Sequence, residues 1–128
     1  MHATRGTIEG LAKHLKLPLP DPFSQDWEYE VADPARVTEF LKAYDSGRLK
    51  SDEKSVLLNV ILASYNDAID EGSARPEDWE WISRYLVRDR AIHEAAINYW
   101  ALPDEIELEN CFPITPLMRT ARRTGSDV

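Results

Sequence analysis

A mainly α fold is what this sequence predicts: a compact helical domain of about four to five helices, with at most a small two-stranded β element pairing 27–31 with 105–109. Three observations carry that reading. Apolar residues recur at i, i+3, i+4 and i+7 in several stretches between Val37 and Ala101. Those stretches open on Asp, Ser or Pro and close near Gly, the punctuation of helix ends. Only two short segments alternate apolar with acidic residues in the period of two that a half-buried strand shows. With 128 residues, 43% of them hydrophobic, the chain is long enough for one core without disulfides or metals. One domain, 1–128, is expected, with flexible ends at 1–6 and 124–128.

The segment TIEGLAKHLK predicts a short helix with Ile8, Leu11 and Leu15 on one side, weakened by Gly10. LPLPDPF follows, and Pro18, Pro20 and Pro22 make it an extended strap. In WEYEV, Trp27, Tyr29 and Val31 alternate with Glu28 and Glu30, which reads as a strand. Asp33-Pro34 then caps and opens a helix whose stripe is Val37, Phe40, Leu41 and Tyr44, with Gly47 as a left-handed stop.

Ser51 is read as the cap of the next helix, with Asp52 and Glu53 in its first turn, running to about Asp70 before Gly72. Its apolar set, from Val56 to Ile69, spans an arc of about 200° at roughly 100° per residue. That width makes it central, leaving a strip of Asn59, Ala63, Asn66, Asp67 and Asp70 for water. Pro76 opens a third helical region that holds three of the four tryptophans, and Trp79 and Trp81 project about 200° apart on it. The charged run VRDRA and a capping Asp89 predict a break near Arg88–Arg90. In EIELEN, Ile106 and Leu108 alternate with Glu105, Glu107 and Glu109, the second strand-like pattern. Thr115-Pro116 opens a final short helix with a basic end.

Net charge is −8, and the acids are clustered. Residues 21–33 carry Asp21, Asp26, Glu28, Glu30 and Asp33 with no base, and 104–109 carry Asp104, Glu105, Glu107 and Glu109 with none. Such a surface repels phosphate backbones and anionic lipid, so neither nucleic acid nor membrane is expected as a partner. Arg119, Arg122 and Arg123 are the one basic cluster, too small and too poor in aromatics for a nucleic-acid patch. The single cysteine excludes an internal disulfide. No run of about 18 apolar residues and no signal-like core occurs, so a cytoplasmic location is expected.

No catalytic or cofactor motif is present, and no cofactor or metal is expected. His93-Glu94 lacks the zinc-protease partner, since position 97 is Ile97. Asp89 and His93 share a helical spacing but find no further His or Cys ligand. Cys111 has no neighbouring histidine, and the serines lack a nucleophile-elbow context.

Two constellations remain as binding candidates. Trp81, Tyr85 and Arg88 combine hot-spot residue types at helical spacing. Glu28, Glu30, Glu105, Glu107 and Glu109 would share one outward face if the two strands paired. In charge and size the chain resembles the class of small acidic immunity proteins and inhibitors that mask basic nuclease toxins, an analogy of class rather than of motif. The expected function is therefore a non-catalytic acidic protein-interaction module with a basic protein partner, in its sharpest version neutralising a nuclease toxin. A small cytoplasmic enzyme using His93 and carboxylates in a cleft is the alternative. A homodimer through the second aromatic face is a further possibility.

Overall fold

The computed structural model describes residues 5–19 and 27–126. Among them the chain forms seven α-helices and no strand: α1 (Arg5–Leu15), α2 (Trp27–Glu30), α3 (Val37–Tyr44), α4 (Ser51–Glu71), α5 (Pro76–Arg88), α6 (Arg90–Ala101) and α7 (Thr115–Ser126). Short 3-10 turns stand at Pro34–Arg36 and Leu108–Asn110. The fold is mainly α, as expected, but with more than four to five helices. The count rises in part because WEYEV, expected as a strand, forms the extra turn α2.

The two-stranded element of 27–31 with 105–109 does not form. WEYEV coils into α2, where Trp27 and Val31 are four residues apart and both buried, and the Val31 N–H donates to the Trp27 carbonyl at 3.0 Å. In five residues, period two and one helical turn bury the same first and last position, and packing against α4 selects the turn. EIELEN has no strand to pair with and runs as a connection ending in the 3-10 turn.

Helix ends follow local chemistry closely. The Asp33 carboxylate accepts from the Ala35 N–H at 3.0 Å, capping the turn that leads into α3. Gly47 and Gly72 take φ of 76° and 80°, where a side chain would be strained. At the start of α4, Lys50 rather than Ser51 is the boundary residue, and its N–H donates to the Glu53 carboxylate at 3.0 Å. Asp89 joins α5 to α6 at the expected break, yet its side chain caps neither helix.

The central helix is α4, buried from Val56 to Leu58 and from Val60 to Tyr65. Its covered arc is wider than predicted, since Ala63 is buried as well and Asn66 accepts from the Ile114 N–H at 3.0 Å. Helices α1, α2, α3 and α6 pack on it, and α5 and α7 complete the shell. One continuous cluster results, with Phe40, Tyr44, Ile61, Ile82, Ile97, Trp100 and Met118 at its centre.

Of the strap, Leu17 is buried, Leu19 is exposed, and the Pro18 carbonyl accepts from the Trp27 indole N–H at 2.9 Å. Residues 20–23 lie outside the described residues, as do 1–4 and 127–128 of the termini expected to be flexible. Residues 5–6 open α1, and 124–126 continue α7.

Candidate functional site

The α5 triad divides. Tyr85 is 3% exposed and stacks on Tyr44 of α3, with ring centroids 4.5 Å apart, whereas Trp81 is 44% exposed. Arg88 reaches back over the Tyr85 ring at 5.1 Å and pairs with Asp89 at 3.2 Å. Arg84, which sequence reasoning did not single out, lays its guanidinium over Trp81 at 4.8 Å. Tyr85 is thus a wall of the core, and Trp81 stands at the surface beside it.

Two clefts flank this helix. One, of about 280 Å³, lies between α3 and α5 and has Trp81, Tyr85, Asp45 and Asp78 among its walls. Asp78 is buried and accepts from the Thr38 hydroxyl at 3.1 Å. The other, of about 530 Å³, lies between α5 and α7, with Trp79, Val87 and Ala121 as its apolar walls and Arg84 and Arg88 as its charges.

The five glutamates occupy two separate elements and share no strand face. Glu28 and Glu30 sit on α2, and Glu28 borders a small cleft with Tyr29, Tyr99 and Trp100. Tyr29 and Tyr99 are hydrogen-bonded through their hydroxyls, and Tyr99 and Trp100 both pack on Phe112. Glu105, Glu107 and Glu109 lie on the connection from α6 to α7, where Asp104 adds a fourth carboxylate.

That connection is held from beneath by one side chain. Arg119 of α7 donates through Nε to the Ala101 carbonyl at 2.8 Å, and through Nη2 to the carbonyls of Leu102 at 2.6 Å and Glu105 at 2.7 Å. A guanidinium satisfies the free carbonyls at the end of α6 and fixes the chain that leaves it. Within the connection, the Glu107 N–H donates to Glu105 Oε1 at 3.1 Å, and the Cys111 N–H donates to the Leu108 carbonyl at 3.0 Å. With its backbone tied inward, the loop turns its apolar residues outward. Ile106 is 91% exposed and Leu108 60%. No sequence signal marked them, because alternation placed both on a buried strand face.

His93 belongs to the interior. It is 1% exposed, lines none of the clefts described above, and its Nε2 lies 2.7 Å from the Tyr44 hydroxyl. The same hydroxyl lies 2.7 Å from Asp89 Oδ2, with Lys54 Nζ 3.7 Å from that oxygen. An ionised carboxylate only accepts, so Tyr44 donates to Asp89 and accepts a hydrogen bond from His93 Nε2–H; Nδ1 then carries a bare lone pair without a partner. Burial drives the His93 pKa down to about 4, against a smaller opposing pull from Asp89. Burial also pushes Tyr44 well above the ordinary phenol range, helped by the Asp89 carboxylate. Asp89 is pushed up by burial, but the Tyr44 and Arg88 hydrogen bonds and the Lys54 charge hold it below the usual carboxylate range. A histidine that is neutral and buried against Tyr44 is a structural member of this hub.

Among the described residues, no group of three His, Cys, Asp or Glu side chains converges to hold a metal, and no helix is long and apolar enough to cross a membrane. Within the basic cluster, Arg119 is committed to the loop carbonyls and Arg122 Nε donates to Asn98 at 2.9 Å. Compared with known proteins, the chain finds no matching family model, no matching curated protein and no matching solved structure.

Proposed function

We propose that the chain is a non-catalytic protein-interaction module that engages a basic protein through the acidic connection between α6 and α7. The observation that carries this is the loop itself. Ile106 and Leu108 stand in solvent on a backbone fixed by Arg119, between Asp104, Glu105, Glu107 and Glu109. Leaving two large aliphatic side chains in water forgoes about 1.5–3 kcal/mol each relative to burial. An ordered loop that presents them has already lost the conformational freedom that binding would otherwise cost.

The surrounding carboxylates supply steering and selectivity for a cationic surface, and the two aliphatic side chains supply the anchor. Neutralisation of a basic nuclease toxin is the sharpest form of this reading, since carboxylates then occupy a surface built for phosphate. Glu28 and Glu30 would act at longer range, as contributors to the field.

Capture from native extract at low and physiological salt tests the proposal, with wild type beside the double variant Ile106→Ser, Leu108→Ser. The expected result is one basic protein recovered stoichiometrically by wild type, weakened by salt and lost with the variant. Recovery that ignores both salt and the loop substitutions overturns it, as does recovery of no stoichiometric basic protein.

A further inference from the structure

We infer that the cleft between α5 and α7 receives the acidic α6–α7 loop of a second copy of this chain, giving a head-to-tail self-association. The two surfaces complement one another in both charge and hydrophobicity. The cleft, of about 530 Å³, is lined by Trp79, Ser83, Arg84, Val87, Arg88, Thr120 and Ala121, with two arginines and no carboxylate residue among them. The loop carries Asp104, Glu105, Glu107 and Glu109 with no basic residue from Leu102 to Cys111, and offers Ile106 and Leu108 between them.

Among the described residues both surfaces are open in part, although Trp79 stacks on Tyr65 and the Arg88 guanidinium already pairs with Asp89. Val87 is 51% exposed at the cleft, and among the described residues the Arg84 guanidinium rests on the Trp81 ring without a carboxylate partner. A volume in the range of about 300–1,000 Å³ is typical of pockets that bury small ligands, and an aliphatic side chain with a flanking carboxylate is within that class. Seating Ile106 or Leu108 against Trp79 and Val87 removes apolar surface from water on both sides. Glu105 or Glu107 then lies beside Arg84, which has no carboxylate of its own among the described residues, a charge contact that is weak in open solvent and stronger once water is excluded.

Every copy that offers a cleft also offers a loop. The contact joins two different patches, so it is heterologous: it closes into a ring if the rotation between copies permits and otherwise propagates. It uses the same loop as the function proposed above but a different partner, and measurements on the purified chain alone therefore separate the two.

Sedimentation over a range of concentrations, from micromolar to millimolar, reads the inference directly. The expected result is a weight-average mass that rises above the 14.7 kDa of one chain with concentration and falls as salt is added. Ile106→Ser with Leu108→Ser removes the loop's anchors, and Arg84→Glu with Val87→Asp removes the cleft's; all four positions are exposed, so thermal midpoints should stay at the wild-type value. Each double variant alone should associate at least about tenfold more weakly. Mixed together, they retain one intact cleft and one intact loop, and should form a one-to-one complex that cannot grow. A wild-type mass that stays at 14.7 kDa throughout overturns the inference. So does association that survives both sets of substitutions, or a mixture that remains monomeric.

Discussion

The Tyr44 hydroxyl lies 2.7 Å from Nε2 of His93 and so ties the last residue of α3 to the first turn of α6. Asp89 and Lys54 extend the link to the α5–α6 junction and to α4. Four helices are thereby linked through Tyr44 and Asp89, at the point where α5 gives way to α6.

Acid should weaken the fold before the carboxylates protonate. The folded His93 pKa of about 4 lies below the 6.5 of an ordinary histidine, so the unfolded chain binds the proton first. Stability is complete above pH 6.5 and falls as pH drops toward 4, by about 2 kcal/mol between pH 7 and pH 5. Urea unfolding at these two pH values should show the loss. His93→Gln should remove most of it, and an unchanged pH dependence in that variant would show that another group is responsible.

Tyr44→Phe removes the hydroxyl that Asp89 and His93 share, leaving the buried His93 ring without its partner while Asp89, partly exposed, keeps Lys54 and Arg88. A loss of about 1–3 kcal/mol is expected in urea unfolding, because the penalty is that of an unsatisfied buried group rather than of one hydrogen bond. Retained Tyr85 stacking should keep the native helical circular dichroism. A change below about 0.5 kcal/mol would contradict the assigned bonding.

Arg119→Met deletes three donors to the carbonyls of Ala101, Leu102 and Glu105 while retaining an apolar stem. Amide exchange and proteolytic cleavage across residues 103–110 should accelerate, with the exchange of α4 unchanged apart from any global loss. Protection of the loop equal to wild type would show that other contacts hold it.

The tryptophans should separate by environment. Trp100 is buried at the centre of the core, and Trp100→Ala should cost about 3–5 kcal/mol. Trp81, nearly half in solvent, should cost under about 1 kcal/mol when changed to Ala, apart from its packing on Arg84. Iodide should quench wild-type fluorescence partially, and the quenchable fraction should fall in the Trp81 variant.

Local rules carried the sequence far where the cause was itself local. Asp33-Pro34, Gly72 and Pro76 mark helix ends through single-residue backbone preferences, and the structure has ends at or next to each of them, whereas α3 stops at Tyr44, three residues before the left-handed Gly47. The break at Asp89 was legible for the same reason. Its chemistry was not: the residue read as a cap gives its carboxylate instead to Tyr44, Lys54 and Arg88, two of which come from distant elements.

Period-two alternation was the weaker guide. Five residues are too few to distinguish a strand from one turn of helix, as Trp27 and Val31 show, and alternation cannot say whether a partner strand exists. Trp81 and Tyr85 stand four apart on one face of α5, yet Tyr44 covers only the second. Composition and spacing by themselves determined a mainly helical chain, its central helix and most of its boundaries. Only the tertiary structure decided which aromatics are covered, that His93 is sealed, and that Ile106 and Leu108 face water, because each depends on a side chain such as Tyr44 or Arg119 arriving from a remote part of the chain.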